Sequence, residues 1–351
     1  MADYLESWRQ EGMEWNTWVT EVERARAAFA TLIGTTPANI AVGTSLSQLT
    51  SSVASALVTA GPVQSTRRRI LSSVMDFPGV AHAWLATRAH GWQVEILEAN
   101  EQGVVSPDRF HAASGEEVAL ISAPHVCYAN GALLDLPRLA EIAHARGSLL
   151  FVDAYQSLGT VPVDVEASDV DFLAAGVLKY LCGSAGIAFL YVHPRVQERL
   201  RPTVTGWFGR QNPFAFEPRE LDYAESAARF DLGTPPVLNA YAARAGIELV
   251  QAAGVERIRA WLLHLSNLAA EEAARLGLVL SGPPDTSARG ATTALVTSSP
   301  EHAHALEDEL RQRSIMVSAR GHLLRLAPHG FTTEEEVIET LNTLTRVPSH
   351  L

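Results

Sequence analysis

A single lysine is the first residue of the sequence whose type points to chemistry. Lys179 lies in the apolar segment FLAAGVLKYLCG, and the other 26 of the 27 basic residues are arginine. Apolar surroundings lower the pKa of an amine, and the neutral amine is the form that condenses with an aldehyde. An arginine stays protonated and cannot replace it. We therefore interpret Lys179 as a Schiff-base nucleophile; the alternative is a structural lysine that extends from a strand end into solvent.

Three further candidates follow strands that the sequence predicts. Asp153 ends the apolar segment SLLFVD, where its carboxylate could pair with a protonated ring nitrogen. Gln156, three residues on, could donate a hydrogen bond to a ring oxygen. Phe77 follows ILSSV in the segment MDFPG and could stack on a cofactor ring. Taken alone, each residue also fits an ordinary turn, cap or core position.

Two other segments suit the binding of anions. In VGTSLSQ, Thr44 and Ser45 stand between a predicted strand and a predicted helix, where free N–H groups and hydroxyls can bind a phosphate, although both are also common N-caps. Arg325 in LLRLAPHG could bind a carboxylate through two parallel hydrogen bonds; a surface arginine is the alternative. Together, the candidates supply the contacts that catalysis with pyridoxal 5'-phosphate (PLP) requires.

The elements that would position these residues are predicted from hydrophobic spacing. Over residues 38–192, short apolar strands alternate with helical segments, which predicts an α/β sandwich with a mainly parallel sheet. The segment DLPRLAEIAHARG has the pattern of a helix capped by Asp135. A long helical stretch, 237–276, leads into a smaller unit, and we place the domain change near residue 240. In that unit we predict the strands ATTALVTS, IMVSA and HLLRLAP and the helices PEHAHALEDELRQR and TTEEEVIETLNTLTRV.

Composition narrows the class of protein. The chain has 351 residues and a net charge of −12, which disfavours nucleic acid or an anionic membrane as a partner. We expect no membrane span and no secretory signal, because no apolar stretch has the required length. The two cysteines, Cys127 and Cys182, are too few for a disulfide framework, so we expect a cytoplasmic protein. The 12 histidines have no paired ligand spacing, and we predict no metal site.

The sequence resembles the class V aminotransferase family of PLP enzymes, and kynureninases most closely. The resemblance covers nearly the whole chain from about residue 5. It is carried, in family order, by HVCYANGALLDLPRLAEIAHARG, FVDAYQSLGTVPVDV, VDFLAAGVLKYLCGSAGIAFLYV, GWFGRQNPFAFEP, LGTPPVLNA and LRLAPHGFTTEEEV. It implies an aspartate aminotransferase-like α/β fold. The large PLP-binding domain would span residues 20–240 and hold a mainly parallel seven-stranded sheet between helices. The smaller C-terminal α/β domain would span residues 241–351, with a helix in residues 1–19 packed on it.

The resemblance also implies a role for each candidate. Lys179 would form the Schiff base with PLP, Asp153 would pair with the ring nitrogen and Gln156 would contact the ring oxygen. Phe77 would stack on the ring, while Thr44 and Ser45 would bind the phosphate. Asn130 would make a polar contact to the cofactor, and Arg325 would bind the substrate α-carboxylate. Trp207, in GWFG, and Thr234, in GTP, would reach the phosphate from a second subunit, so the resemblance implies a homodimer with shared active sites.

Departures from the kynureninase pattern leave the reaction open. Gln156 stands where kynureninases have a histidine, Leu178 replaces a tyrosine, and Cys182 replaces an asparagine. A small α-amino acid is the predicted substrate, and transamination is the predicted reaction. The alternatives are a kynureninase-like hydrolase, a C–S lyase similar to cysteine desulfurases, and a non-catalytic PLP-binding protein.

Overall fold

The structure, a computed structural model, describes residues 1–60 and 67–346. Its helices are α1 (Ala2–Glu11), α2 (Trp15–Leu32), α3 (Leu46–Ala60), α4 (Pro78–Ala86), α5 (Pro107–Ala113), α6 (Leu136–Ala145), α7 (Pro194–Gln197), α8 (Val237–Ala253), α9 (Val255–Arg275), α10 (Pro300–Gln312) and α11 (Glu334–Leu344). Its strands are β1 (Ile40–Gly43), β2 (Arg69–Ser73), β3 (Gln93–Leu97), β4 (Val118–Pro124), β5 (Leu149–Asp153), β6 (Phe172–Gly176), β7 (Ala188–Val192), β8 (Leu280–Ser281), β9 (Thr293–Val296), β10 (Ser318–Arg320) and β11 (Leu323–Leu326).

The larger sheet has seven strands in the order β1-β7-β6-β5-β4-β2-β3. Strands β2 to β6 pair in parallel, whereas β7 is antiparallel to both β6 and β1. The predicted α/β fold with a mainly parallel seven-stranded sheet is therefore confirmed. Because β1 has the same direction as β6, the carboxyl ends of β1 to β6 lie at one edge, and those of β1, β2, β4, β5 and β6 surround the site described below.

Both faces of this sheet are covered, which explains why its strands are continuous apolar runs. Along β5, Leu150 and Val152 belong to one buried cluster and Phe151 to the other. Phe172 and Leu173 of β6 divide between the clusters in the same way. A strand buried on both sides needs apolar residues at every position.

The predicted cap at Asp135 is present, and a second helix begins with a capping box that the sequence interpretation did not single out. Asp135 accepts a hydrogen bond from the Arg138 N–H at 3.0 Å and caps α6. Thr333 and Glu336 form a reciprocal capping box at the start of α11. The N-terminal helix α1 contacts α8 through the rings of Tyr4 and Tyr241, whose centroids are 5.9 Å apart. The predicted domain change near residue 240 lies at the start of α8 and stays a prediction.

The C-terminal part contains a second, antiparallel sheet in the order β10-β11-β9-β8. Strands β9 and β11 and both flanking helices lie within the predicted segments, whereas β10 starts three residues after the predicted strand IMVSA begins and ends one residue beyond it. The predicted last helix and domain end in residues 347–351, outside the described residues. The two-residue strand β8 was too short to predict. Across the described ranges, no helix combines the length and the apolar character that a bilayer crossing requires.

Candidate active site

A cleft opens at the edge where the five strand ends meet. Its volume is about 880 Å³, including its opening to solvent. Ligands of open α/β sheets bind at this position, outside the carboxyl ends of the strands. Six of the residues predicted from the sequence line the cleft: Thr44, Ser45, Phe77, Asp153, Gln156 and Lys179.

Lys179 follows β6 in a tightly packed loop. The buried part of the apolar run ends at Val177, and Lys179 is exposed on the cleft. The backbone around it is held by close contacts: a Cβ on Gly246 of α8 would lie 2.2 Å from the Leu181 carbonyl oxygen, and one on Gly159 would lie 2.8 Å from the Tyr180 carbonyl oxygen. The loop therefore has little freedom to shift the amine.

The Lys179 ammonium lies among aromatic rings rather than carboxylates. Its Nζ is 4.7 Å from the ring centroid of Tyr155 and 5.8 Å from that of Phe77. Burial lowers the pKa of the Lys179 amine; Asp153 opposes this shift, and the charges of Arg325 and Arg320 add to it. Although the residue is accessible through the cleft, its amine is thus biased toward the neutral, nucleophilic form.

Asp153 is a buried carboxylate with spare capacity to bind a cation. Its Oδ1 accepts a hydrogen bond from the Tyr155 N–H at 2.9 Å, and within the described chain its Oδ2 has no hydrogen-bond partner. Burial raises the pKa of Asp153 to about 6, against the lowering effect of Lys179. A cationic N–H donor at Oδ2 would stabilise the ionised form.

A second buried acid, Asp76, lies beneath the cleft. It accepts hydrogen bonds from the Ser72 hydroxyl at 2.6 Å and from the Ser73 N–H at 3.1 Å, and its Oδ1 is buried without a partner. Burial raises the pKa of Asp76 to about 7, and the charge of Asp153 adds to the shift. Asp76 precedes Phe77, which the sequence interpretation singled out, so the segment MDFPG carries one more polar group than predicted.

The N-terminus of α3 forms one end of the cleft. Its first amides have no intrahelical acceptors, and Thr44, Ser45 and Ser47 line the cleft beside them. Within the turn, Ser45 Oγ accepts a hydrogen bond from the Gln48 N–H at 3.2 Å, and the Thr44 hydroxyl donates to Gln48 Oε1. The Gln48 side chain accepts a hydrogen bond from the Thr44 N–H at 2.7 Å and orders this turn. A Cβ on Gly79 would lie 2.6 Å from Ser47 Oγ, so α4 approaches the same point. This arrangement suits a phosphate group.

Aromatic side chains line the walls of the cleft. Phe77 is 45% exposed and meets Tyr128 edge-on, with centroids 5.3 Å apart. Tyr155 lies between Asp153 and Gln156 in the chain, and a Cβ on Gly176 would come within 2.4 Å of its Oη. The sequence interpretation missed both tyrosines; the position of Tyr155 between two predicted site residues was the available signal.

Two residues of the smaller sheet region approach the cleft. Arg325 of β11 donates from Nη1 to the carbonyl oxygen of Tyr128 and from Nε to Ser318 Oγ at 3.1 Å. Its charge acts on Lys179, although Arg325 is not among the residues that line the cleft. His329 lies 3.5 Å, Nε2 to Sγ, from Cys182 in the lysine loop. The C-terminal part thus comes close to the cleft without lining it.

Three predicted contacts lie outside the cleft of this chain. Asn130 is buried and donates to the Gly103 carbonyl oxygen at 3.0 Å, in a structural loop contact. Trp207 packs with Trp15 and Phe208, and Thr234 is exposed. None of the three lines the cleft, and their proposed contacts with the cofactor remain predictions.

The donor set of the cleft fits PLP. Asp153 offers an unpaired carboxylate oxygen to a ring N–H, Phe77 and Tyr155 offer aromatic surface, and the N-terminus of α3 offers amides to a phosphate. Lys179 supplies an amine without an ion-pair partner among the described residues. Fold and site together define the class of protein, a PLP-dependent enzyme.

Comparison with known proteins identifies the family. The family model "Aminotransferase class-V" matches residues 9–331. The chain is 35% identical to the protein named uncharacterized aminotransferase YcbU of Bacillus subtilis, over 100% of this chain and 90% of the relative. It is 29% identical to the kynureninase of Geobacillus thermodenitrificans, over 98% of this chain and 83% of the relative. The chain therefore belongs to the class V aminotransferase family.

Solved structures share its fold. The cysteine desulfurase of Thermococcus onnurineus NA1 superposes with a TM-score of 0.87 at 21% identity, covering 100% of this chain and 91% of that one. The cystine C–S lyase C-DES, solved with its product cysteine persulfide, gives a TM-score of 0.87 at 19% identity, with 98% and 92% covered. At this level of identity the likeness establishes the fold and leaves the reaction open.

Proposed function

We propose that the chain is an aminotransferase that uses PLP bound at Lys179 to act on a small α-amino acid. The observation that carries the proposal is the arrangement of Lys179 and Asp153 in one cleft, where burial lowers the pKa of the amine and the Asp153 carboxylate has no cationic hydrogen-bond donor among the described residues. The bound cofactor would supply an aldehyde and an electron-accepting ring. The named residues of this chain would bind and orient the cofactor and the substrate and would transfer the proton.

Each residue has a defined task in this proposal. Asp153 would hold the proton on the ring nitrogen, Gln156 would donate to the ring oxygen, and Phe77 would pack on the ring face. Thr44 and Ser45, with the first amides of α3, would bind the phosphate. Arg325 would orient the substrate carboxylate through its remaining Nη2 donors, since Nε and Nη1 are already engaged.

Proton transfer would depend on Lys179. Once the substrate amine occupies the site, Lys179 Nζ would take the proton from the substrate Cα and return it elsewhere, acting as general base and then as general acid. The lowered pKa of Lys179 favours the first of these roles. The rings of Tyr155 and Phe77, whose centroids are 4.7 and 5.8 Å from Nζ, border the region in which Nζ would move.

A homodimer with shared active sites is part of the proposal. Trp207 and Thr234 lie outside the cleft of their own chain, so they would reach a phosphate only from a neighbouring subunit. Asn130 would contribute by fixing the loop behind the substrate side of the cleft. Both cysteines are free, which is consistent with a reducing compartment, and we keep the cytoplasm as the proposed location.

Cleavage of a substrate side chain is the second candidate reaction. It is favoured by the kynureninase relatives, which align over 98% of this chain. A kynureninase-like hydrolase or a C–S lyase would use the same Lys179, Asp153 and Arg325 and differ in the acid that acts further along the substrate. A non-catalytic PLP-binding protein would bind the cofactor without turnover.

The lone lysine makes a decisive experiment possible. Borohydride reduction of the purified holoenzyme should remove its visible absorption band and leave a cofactor-derived mass on the peptide that contains Lys179. The chain has no other ε-amine, so the N-terminal amine of Met1 is the single competing amine. The Lys179→Ala variant should lose the adduct and at least 1,000-fold of the activity, an order of magnitude typical of a lost nucleophile.

The same preparation separates the candidate reactions. Incubation with a panel of amino acids should convert the cofactor to pyridoxamine phosphate if the reaction is transamination. Release of alanine or pyruvate would instead identify a hydrolase or lyase, and a labelled Lys179 without any turnover would identify a binding protein. An unlabelled Lys179 in the active holoenzyme would refute the whole proposal.

A further inference from the structure

Two arginines of the smaller sheet share one face. In the antiparallel pair of β10 and β11, Arg320 is opposite Leu323 and Ser318 is opposite Arg325. Directly opposite residues project to the same side, so Arg320 and Arg325 are diagonal neighbours, roughly 7–8 Å apart at the backbone. Ala319 and Leu324 occupy the other face and are buried in the core. The arginine face is therefore turned away from the core of the smaller unit.

This face adjoins the candidate active site. Arg325 donates to the carbonyl oxygen of Tyr128, a residue that lines the cleft. The charges of both arginines lower the pKa of the Lys179 amine, so Arg320 lies close enough to that amine for its charge to affect it. Burial lowers the pKa of Arg325, and the like charge of Arg320 adds to this shift.

Neither arginine is neutralised by the protein. Among the described residues, no carboxylate lies within ion-pair distance of Arg320 or Arg325, whereas Arg275, Arg311 and Arg313 of the same unit all pair with acids. Arg320 donates to the Ala319 carbonyl oxygen, and Arg325 keeps Nη2 available. In a chain of net charge −12, these two adjacent cations have no acidic partner among the described residues and are available to the anionic groups of a ligand.

We propose that Arg320 binds a second acid group, at the end of the substrate side chain, while Arg325 binds the α-carboxylate. The substrate class would then be α-amino acids with an anionic side chain, such as aspartate or glutamate. This inference rests on the proposed function, because that function places the α-carboxylate at Arg325. It makes Arg320 a specificity-determining residue.

Binding of simple acids to the holoenzyme tests the inference without turnover. Glutarate has two carboxylates and butyrate has one, and neither has an amine. Calorimetry should show that the wild-type holoenzyme binds glutarate at least 10-fold more tightly than butyrate. Arg320→Gln should weaken glutarate binding at least 10-fold and butyrate binding less than 2-fold. Arg275→Gln is the matched control: it removes the same charge from the same unit, at an arginine paired with Glu272, and should change neither affinity.

Kinetics give a second, independent readout. In Arg320→Gln, KM for glutamate or aspartate should rise at least 10-fold while KM for alanine changes less than 2-fold. Equal effects on both classes of substrate, or equal wild-type affinity for glutarate and butyrate, would overturn the inference and leave the proposed function intact. A failure of the proposed function would appear differently, as an unlabelled Lys179 in the reduction experiment, whatever the affinity for glutarate.

Discussion

At Asp153, burial and charge act in opposite directions. The carboxyl group is buried at the end of β5, and burial raises its pKa from 3.8 to about 6 while the nearby Lys179 lowers it. Because the folded-state pKa lies above the unfolded value, the cofactor-free protein binds this proton more tightly than the unfolded chain. The associated stabilisation is complete below pH 3.8 and is lost as the pH rises to about 6.

The loss of this stabilisation on ionisation of Asp153 predicts how the Asp153→Asn variant behaves. In the cofactor-free form at pH 7, the variant should be more stable than wild type by about 2–3 kcal/mol, since a shift of one pKa unit corresponds to about 1.4 kcal/mol. The difference should vanish near pH 4. In the holoenzyme the variant should lose roughly 100-fold or more of the activity, because the ring nitrogen loses its ionic partner. Urea unfolding across this pH range measures the first effect, and steady-state kinetics the second.

The control removes an equal charge from the surface. Asp108→Asn, at an exposed position of α5, should leave both the pH dependence and the activity unchanged. Because the charge of Asp153 adds to the raised pKa of Asp76, Asp153→Asn also changes the titration of Asp76, and the comparison is therefore repeated in an Asp76→Asn background. A stability difference that persists unchanged at pH 4 would contradict the assignment of the effect to the Asp153 proton.

The residues that the sequence could indicate are those whose chemistry is unusual for their position. Lys179 is the only lysine, and Asp153 is an acid that ends an apolar strand. Asp76 and Tyr128 gave no such signal, because their roles depend on neighbours that are distant in the chain, and Tyr155 was indicated only by its position between Asp153 and Gln156. Arg325 was recognisable from its segment, whereas Arg320 became visible only with the pairing of β10 and β11.

At the scale of elements, the position of Lys179 depends on how closely α8 approaches the lysine loop. Gly246 lies within α8, and a Cβ there would be 2.2 Å from the Leu181 carbonyl oxygen and 2.9 Å from the Cys182 carbonyl carbon. Both contacts involve backbone, which cannot rotate away as a side chain can. The helix can pack at this distance because residue 246 has no side chain.

Gly246→Ala therefore sets two effects against each other. Helix propensity alone predicts stabilisation by about 1 kcal/mol. Displacement of the loop or the helix costs about 1–3 kcal/mol, and we expect this term to exceed the gain and to make the variant less stable. The shift of Leu181 should also disturb Lys179 and weaken retention of the cofactor. Urea unfolding measures the stability, and absorbance after dialysis measures the retained cofactor.

Gly233→Ala is the matched control, because a Cβ at residue 233 would meet no atom within 4 Å and its φ is not positive. It should not destabilise the protein; it controls for stability alone, because Gly233 precedes Thr234, which the proposal places at a phosphate site. If Gly246→Ala proved more stable than wild type with its cofactor band unchanged, the close contact would have no role in positioning the loop.

The elements themselves were largely predictable, because their signals are local. Continuous apolar runs identified β4 to β7, and the Asp135 cap identified α6. Strand order and the register of the smaller sheet were not predictable from one sequence, since pairing partners are far apart in the chain. The approach of α8 to the lysine loop is of the same kind: a single glycine within a helix does not reveal which backbone it faces.

At the scale of the whole molecule, an exposed aromatic surface supports the proposed dimer. Phe216 is 72% exposed and Phe214 is 42% exposed, and both pack against Trp207. Trp15 makes edge-to-face ring contacts with Trp207 and Phe214. Clustered apolar side chains on a surface mark interaction sites. Because the resemblance places Trp207 in a neighbour's active site, a second copy of this chain is the expected partner.

A charge within this aromatic surface should separate the subunits. Phe216→Glu should convert the dimer to a monomer in light scattering, since an isolated charge in an apolar interface is strongly unfavourable. The monomer should keep its fold but lose affinity for the cofactor, because the contacts of Thr234 and Trp207 with the phosphate would be absent. Val279→Glu introduces the same charge at a residue that is 64% exposed, outside this surface, and should leave a loaded dimer.

Mixed dimers test whether the active sites are shared. Lys179→Ala and Thr234→Val should each be nearly inactive alone, because one lacks the nucleophile and the other lacks the hydroxyl that its partner's phosphate site requires. When equal amounts are unfolded together and refolded, half of the dimers are mixed, and each contains one site with both Lys179 and Thr234. Activity should therefore return to about a quarter of the wild-type value. Recovery is impossible if both residues serve the cleft of their own chain, since no subunit then has a complete set; an inactive mixture of demonstrably mixed dimers would thus show that each chain builds its site alone.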